Sequence, residues 1–423
     1  MIALFITFIL LLAIGLPISL AMLGSSLLVI GWDGTPLSVV AQRVVTGVQS
    51  FPLLAIPLFT LAGSLMNDSG ISERLFAFTR TFVGHIRGGL AHTAIVGECF
   101  LSGISGSSVA DCAVMSRVFV PALTKAGYGS GLSAALVAAS ATLGPIIPPS
   151  ILMVIYAWQA NISLGSLFWA GVLPGLVMAL AMMLLTAYYA CKRQFPKDQP
   201  FAWSRFKTAF REAAWALFMP VLVLGGFGMG VCTATEIAGI AVAYSLIVGM
   251  FVYRTLTWPQ IPKLLLQTAK ETAVILLIVA AASPFSWFLG VEQAPQLVLK
   301  VITQATDKAW LVLLLLNVVM LILGCFMETI AIMIILVPIL IPVLGLYHID
   351  LTHFGIVLLI NLTIGQLTPP VGVLLFVSSS ITKVPFGMIA REVLPYIAVL
   401  VIALMVLTYV PSMSLWLPAV IYH

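Results

Sequence analysis

One uncharged stretch constrains the fold of this chain more than any other feature. Residues 126 to 191 contain no Asp, Glu, Lys or Arg over 66 positions. A membrane-spanning helix needs about 20 apolar residues, so the stretch is long enough for two crossings. Its first half nevertheless contains Gly144-Pro145-Ile146-Ile147-Pro148-Pro149, and proline removes a helix hydrogen bond and clashes with the preceding turn. The sequence therefore predicts a membrane helix that is interrupted near its middle.

The composition indicates an all-α polytopic membrane protein embedded in a lipid bilayer. Hydrophobic residues make up 61% of the 423 positions, charged residues 8%, and the mean hydropathy is +1.17. Soluble domains carry about 25% charged residues, which are needed to cover their surface. The net charge of +5 is spread over short segments between apolar runs, which reports membrane topology rather than nucleic-acid binding. The apolar run from Met1 to Trp32 is too long for a signal peptide and is interpreted as the first span.

Apolar segments of spanning length predict nine crossings. Two further apolar regions, 92–125 and 309–347, have the wrong length for one span and carry Gly, Pro and acidic residues near their centres. We interpret each as a re-entrant helical hairpin that enters and leaves on the same face. Segments 36–50 and 292–308 are too polar to cross and are predicted to lie along the interface. The predicted spans are 2–31, 51–66, 131–158, 163–191, 213–231, 236–253, 272–290, 353–380 and 393–419.

The basic residues predict the topology. They are concentrated around Arg74 to Arg87, Lys192 to Arg211 and Arg254 to Lys270, and the positive-inside rule places all three segments in the cytoplasm. This arrangement requires that 92–125 does not cross. It predicts a cytoplasmic N-terminus, a second hairpin that opens to the outside, and a periplasmic C-terminus.

The interrupted helix has a counterpart, which indicates an internal repeat. Gly365-Gln366-Leu367-Thr368-Pro369-Pro370 repeats the G-x-x-x-P-P pattern of Gly144 to Pro149, 221 residues later. The same offset pairs Gly103 with Gly324, Pro121 with Pro342 and Thr142 with Thr363 without a gap. Transporters are often built from such halves. Because one hairpin opens inside and the other outside, the two repeats are predicted to be inverted.

The hairpin tips and helix breaks predict two sodium sites. A broken helix leaves carbonyl oxygens for cations and amides for anions, and hydroxyl and carbonyl oxygens suit a hard cation. The first tip, Ser102 to Asp111, is rich in Gly and Ser. The first predicted site comprises Gly103, Ser105, Ser107, Ser108, Thr142 and Gly144. The second comprises Gly324, Glu328, Thr329, Thr363, Gly365 and Thr368.

Ionisable residues at membrane depth are expected to be functional or paired. Asp111 and Arg117 are predicted to pair across the first hairpin, while Glu98 is a further candidate. Glu328 at the second tip is interpreted as an ion ligand, a proton carrier or a neutral hydrogen-bonding group. The five cysteines and five histidines form no disulfide or metal-ligand pattern, so no cofactor is expected beyond the coupling ion, sodium.

The motifs GISGSSVAD with LGPIIPPS, and GCFMETIAI with GQLTPPVG, resemble the large membrane subunit of the tripartite ATP-independent periplasmic (TRAP) transporters over essentially the whole chain. The resemblance implies an inverted-repeat, elevator-type transporter of the bacterial inner membrane that couples sodium to uptake of an organic acid. It also implies two partners, a small four-helix membrane subunit and a periplasmic substrate-binding protein. The second tip departs from the first, with Met327-Glu328 in place of Gly106-Ser107, which puts the equivalence of the two ion sites in doubt.

The resemblance further implies a division into scaffold and transport parts. The scaffold helices and interfacial arms would occupy 1–91 and 236–308, the transport parts 92–191 and 309–423, and a basic cytoplasmic loop with a connecting span 192–235. The anionic carboxylate could be a C4-dicarboxylate, a sialic acid or another sugar or keto acid. Its predicted contacts are Ser105, Pro145, Pro148, Pro149, Asn361, Pro369 and Pro370.

Two other functions are compatible with a polytopic membrane chain. An intramembrane enzyme could use Asp111 or Glu328 with a histidine, but no histidine lies beside either acid in a recognisable motif. The permease of an ATP-driven importer would need a cytoplasmic coupling helix, for which the loop from Lys192 to Arg211 is the candidate. The paired broken helices favour a secondary transporter that needs no ATPase.

Overall fold

The structure is a computed structural model that describes residues 1–197, 200–230 and 232–422. Within these residues the chain is 82% helical and contains no β-strand. Seven of the described helical segments are long and apolar enough to cross a membrane, so the prediction of a polytopic helical fold is confirmed. Residues 198 and 199 of the predicted basic loop, residue 231 at the end of one predicted span and the C-terminal residue 423 lie outside the described residues.

Twenty α-helices follow one another along the described chain. The first half contains α1 (Ile2–Ala13), α2 (Ile18–Trp32), α3 (Leu37–Val48), α4 (Ala55–Asp68), α5 (Ile71–Val83), α6 (Gly89–Ser105), α7 (Ser108–Lys125), α8 (Ser130–Ser140), α9 (Ile151–Ala160) and α10 (Leu164–Lys192). The second half contains α11 (Trp203–Gly228), α12 (Ala234–Ile247), α13 (Ile261–Val291), α14 (Ala294–Ala305), α15 (Ala309–Gly324), α16 (Thr329–Leu346), α17 (Leu351–Leu367), α18 (Val373–Thr382), α19 (Phe386–Tyr409) and α20 (Ser412–Tyr422).

The prediction of a single span over 2–31 is wrong. Gly15 has a φ of +92° and Pro17 cannot donate a backbone hydrogen bond, so the helix ends at Ala13 and restarts at Ile18. The Leu11 side chain lies 3.2 Å from the position of a Cβ on Gly24, which means that α2 folds back along α1. With 12 residues, α1 is about 18 Å long and too short to cross a bilayer of about 30 Å.

The fold-back changes the predicted position of the N-terminus. The Met1 ammonium forms a 2.8 Å ion pair with the Glu292 carboxylate, and Phe5 and Phe8 pack edge-on against Phe285. Met1 therefore lies at the same end of the fold as the end of α13. The predicted topology placed the N-terminus inside and residue 292 outside, and these two placements are incompatible because α1 and α2 do not make one full crossing before Trp32.

Three other predicted spans are divided in the structure. The segment 131–158 consists of α8, a short 3-10 turn at Ala141–Leu143, an irregular stretch and then α9. The segment 353–380 consists of α17 and α18 separated by residues 368–372, and the peptide bonds Pro148-Pro149 and Pro369-Pro370 are both cis. The predicted interruption of both helices is confirmed. The segment 393–419 is divided between α19 and α20.

Two helices extend beyond their predicted bounds. Helix α11 begins at Trp203, so Arg205, Lys207 and Arg211 belong to a helix and not to the predicted loop. Helix α13 begins at Ile261, whereas the apolar pattern placed the start of its span at residue 272. Polar residues at a helix end hide its boundary from a hydropathy count, because that count reports burial in lipid and not helix formation. The predicted interfacial segments are separate helices, α3 and α14.

Each predicted hairpin begins and ends at the same place in the fold. Arg87 forms a β-bridge with Lys197, and the ring of Tyr128 lies 4.1 Å from that of Phe195. The residues before α6 and after α7 thus meet the same segment. For α15 and α16, the Tyr347 hydroxyl donates a 2.5 Å hydrogen bond to the Thr306 carbonyl. Each pair of helices therefore turns back near its middle.

The two repeats interlock through their hairpins and broken helices. Helix α7 of the first repeat packs on α18 of the second, and reciprocally α16 packs on α9. Helix α8 likewise packs on α19, and α10 on α17. A second group of helices packs around α13, which contacts α2, α3 and α4, while α4 also packs along α12. We call the first group the hairpin domain and the second the outer helices.

Candidate functional site

The first hairpin tip is the turn from Ser105 to Ser108 between α6 and α7. Gly106 has a φ of +63°, a left-handed conformation that glycine adopts without strain. The Ser107 hydroxyl accepts a 3.4 Å hydrogen bond from the Ala110 amide and caps α7. The Ser105 hydroxyl donates to the Asp111 carboxylate and accepts from the Ser107 amide at 3.2 Å. The tip thus has several hydroxyl oxygens at the start of a helix.

This tip lies directly against the first helix break. A Cβ added to Gly106 would stand 2.5 Å from the Pro149 carbonyl oxygen, so the backbones of the tip and the break are in contact. A Cβ added to Gly144 would meet the Ser108 amide at 3.0 Å and an Asp111 carboxylate oxygen at 2.9 Å. The structure therefore brings the predicted residues of the first sodium site into one region. Pro145, Pro148 and Pro149 are buried in the same region.

Gly103 and Thr142 belong to the edges of this region. A Cβ on Gly103 would lie 2.7 Å from the Pro220 ring and 3.6 Å from the Pro148 carbonyl, so Gly103 allows close packing with α11. The Thr142 hydroxyl donates a 2.7 Å hydrogen bond to the Ala139 carbonyl. Its proton is committed to the backbone, which leaves the oxygen lone pairs as its means of binding a cation.

A cavity of about 360 Å³ separates the first tip from the outer helices. Ser105, Ser107 and the first turn of α7 form one wall, and α4 and α13 form the opposite wall. The contribution of α4 to this cavity could not be predicted, because its hydroxyl and amide residues are scattered along an apolar span. The outer-helix residues that line the cavity are Thr60, Gly63, Ser64, Asn67, Glu271 and Ile275.

The cavity lies toward the end of the fold that carries the basic segments. Asn67 is in the last turn of α4, and Ser69 just beyond it accepts a 2.9 Å hydrogen bond from Thr255. The Arg74 guanidinium lies over the Tyr253 ring at 4.0 Å, so the segments around Arg74 and Arg254 adjoin. Both are predicted to be cytoplasmic. None of the residues that line the cavity is Lys, Arg or His.

The second tip, from Cys325 to Glu328, repeats part of the first. Glu328 caps α16 by accepting a 3.0 Å hydrogen bond from the Ala331 amide, at the position where Ser107 caps α7. The Thr363 hydroxyl donates to the Ile360 carbonyl at 2.9 Å, which reproduces the bond made by Thr142. The two tips therefore share the N-terminal cap of their second helix, although Glu replaces Ser there and Met327 does not repeat the left-handed conformation of Gly106.

In other respects the second tip differs from the first. Gly324 and Gly365 meet backbone to backbone, because a Cβ on Gly365 would lie 2.6 Å from the Gly324 Cα. Phe326, at the position of Ser105, is 63% exposed. The Thr368 hydroxyl donates to the Ile364 carbonyl at 2.7 Å, and Pro369 and Pro370 are partly or fully exposed. The second predicted site thus has an aromatic residue where the first has Ser105, and its helix break is more exposed than the first.

Asn361 on α17 is held in a hydrogen-bond network with Asn317 and Thr408. Its amide nitrogen donates to the side-chain oxygen of Asn317 at 2.7 Å and to the Asn317 carbonyl at 3.1 Å. Asn317 in turn donates to Thr408 at 3.1 Å. These bonds connect α15, α17 and α19. The predicted substrate contact of Asn361 stays a prediction, because its amide nitrogen is bonded to Asn317 while its Oδ1 is buried with no hydrogen-bond partner in the structure.

The predicted ion pair between Asp111 and Arg117 is wrong. Asp111 is fully buried and is bonded to Ser105, whereas Arg117 is exposed and lines a groove with Thr124 and Thr382. The two residues are six positions apart on α7, so their side chains leave the helix on different faces. Glu98 is fully buried on α6 and accepts a weak 3.4 Å hydrogen bond from Ser102.

Comparison with known proteins identifies the family. The family described as "Tripartite ATP-independent periplasmic transporter, DctM component" matches residues 5–413. The chain belongs to this DctM family. It is 38% identical over 407 residues to the sialic acid TRAP transporter large permease protein SiaM of Vibrio cholerae, covering 96% of this chain and 95% of SiaM. It is 40% identical over 370 residues to the C4-dicarboxylate TRAP transporter large permease protein DctM of Pseudomonas aeruginosa, covering 88% and 87%.

A solved structure shares the fold. The YdaH transporter of Alcanivorax borkumensis superposes with a TM-score of 0.63 at 16% identity, over 90% of this chain and 88% of YdaH. The DctM-family assignment confirms the resemblance found in the sequence and shows that the chain is a multi-pass inner-membrane transporter component and not an enzyme. The two other functions considered, an intramembrane enzyme and the permease of an ATP-driven importer, are incompatible with this assignment.

Proposed function

We propose that this chain is the translocating subunit of a sodium-coupled TRAP transporter that takes up an organic acid. The observation that carries the proposal is the cavity between the first hairpin tip and α4, whose lining contains hydroxyls, an amide, the Glu271 carboxyl group and a helix N-terminus but no basic side chain. A carboxylate cannot enter such a cavity alone, because a charge in a low-dielectric site needs a partner. Bound sodium ions and the positive end of α7 supply that partner.

The first sodium ion would bind where the tip and the first helix break meet. The hydroxyls of Ser105, Ser107 and Thr142 and the Pro149 carbonyl provide hard oxygen ligands without a basic competitor nearby. A second ion would bind between Glu328, Thr329 and the second break. Substrate would then bind beside the first tip, so that sodium and carboxylate neutralise each other.

Transport would proceed as an elevator. We propose that this state faces the cytoplasm, because the cavity lies toward the end of the fold that carries the basic segments and the positive-inside rule assigns that end to the cytoplasm. The re-entrant hairpins and the broken helices would move together against the outer helices to expose the first tip to the periplasm. Contacts of the substrate with Ser64 and Asn67 would be lost in that movement, because these residues stay with α4.

The substrate class follows from the relatives. SiaM carries the name of a sialic acid transporter and DctM that of a C4-dicarboxylate transporter, and both substrates are carboxylates. We propose that a separate periplasmic binding protein delivers such an acid, and that a small four-helix subunit completes the membrane complex. A periplasmic C-terminus and three cytoplasmic basic segments complete the proposed topology.

Uptake into proteoliposomes tests the proposal. The vesicles would contain this chain, its small subunit and a substrate-loaded binding protein. An inward sodium gradient should drive accumulation of the acid, and replacing sodium with potassium or supplying a proton gradient alone should not. Accumulation that requires ATP or proceeds equally without sodium would overturn the proposal.

A further inference from the structure

Gln366 makes a contact that no other residue in the described chain makes: its side chain joins the two hairpin tips. Its amide oxygen accepts a 2.7 Å hydrogen bond from the Ser108 hydroxyl, and its amide nitrogen donates a 2.6 Å hydrogen bond to the Thr329 hydroxyl. All three side chains are buried, with exposed fractions of 4% for Ser108, 1% for Thr329 and 8% for Gln366. The bonds cross 258 and 37 residues of sequence.

The two hydroxyls are equivalent positions of the repeat. Ser108 is the first residue of α7 and Thr329 the first residue of α16, and they are 221 residues apart. The equivalent of Gln366 in the first repeat is Pro145, which has no hydrogen-bonding side chain and no amide hydrogen. The bridge is therefore made once, and it breaks the symmetry of the two repeats at their centre.

The bridge also fixes how each hydroxyl can act. Ser108 gives its proton to Gln366, so only its oxygen lone pairs remain for a cation. Thr329 accepts from Gln366, so its own proton remains available to an acceptor. A shift of one tip changes the bond to Gln366 and is transmitted to the hydroxyl of the other tip. In a buried, low-dielectric region such a network responds as a unit.

We propose that Gln366 is a positioning residue that couples the two sodium sites by holding Ser108 and Thr329 at a fixed separation. This inference rests on the proposed function, since it assigns one hydroxyl to each sodium site. Sodium binding at the first tip orders Ser108, Gln366 and Thr329 and thereby favours binding at the second tip. Sodium activation of uptake is then cooperative, and the cooperativity depends on Gln366.

The experiment measures sodium activation of uptake in proteoliposomes that contain the whole complex. Gln366→Leu keeps the approximate size of the side chain and removes both hydrogen bonds. We expect the sodium concentration for half-maximal uptake to rise about two- to tenfold, the range for losing one net hydrogen bond, and the Hill coefficient to fall toward one. Substrate affinity at saturating sodium should change less than either value.

Gln159→Leu is the matched control. Gln159 on α9 also connects two helices, by a 3.1 Å hydrogen bond to the Ile334 carbonyl, but it touches neither tip. This variant should keep the wild-type sodium curve. If the loss of any interhelical amide shifted the sodium curve, Gln159→Leu would shift it as well. Ser108→Ala combined with Gln366→Leu should be no worse than the more severe single variant, because both remove the same link.

Three results separate the outcomes. A wild-type complex whose uptake is not stimulated by sodium would refute the proposed function and this inference with it. Sodium-stimulated wild type with an unchanged sodium curve in Gln366→Leu would refute the coupling alone. If Gln366→Leu does not insert, Gln366→Met keeps an unbranched side chain of similar length and cannot bridge the two hydroxyls. An unaltered Hill coefficient in that variant would equally overturn the inference.

Discussion

Gly106→Ala tests the contact between the first tip and the first helix break. The substitution acts in two ways. Alanine at a φ of +63° is strained, which costs about 1 kcal/mol. The new methyl group would also stand 2.5 Å from the Pro149 carbonyl oxygen, so the tip and the carbonyl must separate by roughly 1 Å to restore an ordinary contact.

The size of the effect follows from that separation. Forcing an extra methyl group into a packed site costs about 1 to 3 kcal/mol. If sodium is held jointly by the tip and the break, this cost falls on the sodium-bound arrangement. Because 1.4 kcal/mol is a factor of ten, the sodium concentration for half-maximal uptake should rise about five- to a hundredfold.

Gly127→Ala controls for backbone strain. Gly127 follows α7, has a φ of +90° and has no neighbouring atom within 4 Å of an added Cβ. It therefore shares the strain of Gly106→Ala without the contact. Sodium-dependent uptake into proteoliposomes should be shifted in Gly106→Ala and near wild type in Gly127→Ala. Equal sodium curves for both variants and the wild type would show that the tip and break do not share an ion.

Three further predictions concern stability and the second tip, and thermal unfolding of the detergent-purified complex measures each. Gly365→Ala places a methyl group 2.6 Å from the Gly324 Cα and should destabilise by about 1 to 3 kcal/mol, whereas Gly239→Ala meets no atom within 4 Å and should not; equal melting would contradict the contact. Glu328→Ala should lose about 1 kcal/mol of helix capping and Glu328→Gln little, so equal losses would refute the capping role. Asn361→Leu should lower stability without raising the substrate KM measured by uptake into proteoliposomes, and a selective rise in that KM would instead support Asn361 as a substrate contact.

The interrupted helices and the hairpins could be predicted because Pro, Gly and Ser residues are unusual in the middle of a continuous membrane-spanning helix. Pro148-Pro149 and Pro369-Pro370 prevent a continuous helix wherever they occur, and their spacing exposed the repeat. The first tip was predicted for the same reason, since Ser and Gly residues at membrane depth need hydrogen-bond partners. These features depend on local chemistry, which a sequence shows directly.

Features that depend on distant contacts could not be predicted. The fold-back after Ala13 depends on packing against α13. The apolar pattern of residues 2–31 is the same for a helix that crosses the membrane and for two helices that turn back. The sequence does not show that Asn361 bonds to Asn317, because the two residues are 44 positions apart. Gln366 lies within the G-x-x-x-P-P motif that indicated the repeat, but the motif predicts no role for its side chain. Its role depends on Ser108, 258 residues away, and only the three-dimensional arrangement brings them together.

The most direct test of the central claim is the location of the bound acid. An electron cryo-microscopy map of the complex, prepared with a transported acid in sodium chloride, should show the carboxylate in the cavity between Asn67 of α4 and the tip from Ser105 to Ser107. The same sample in potassium chloride should lack that density. Substrate density that lies only beside Pro369 and Pro370, or that persists unchanged without sodium, would contradict the account.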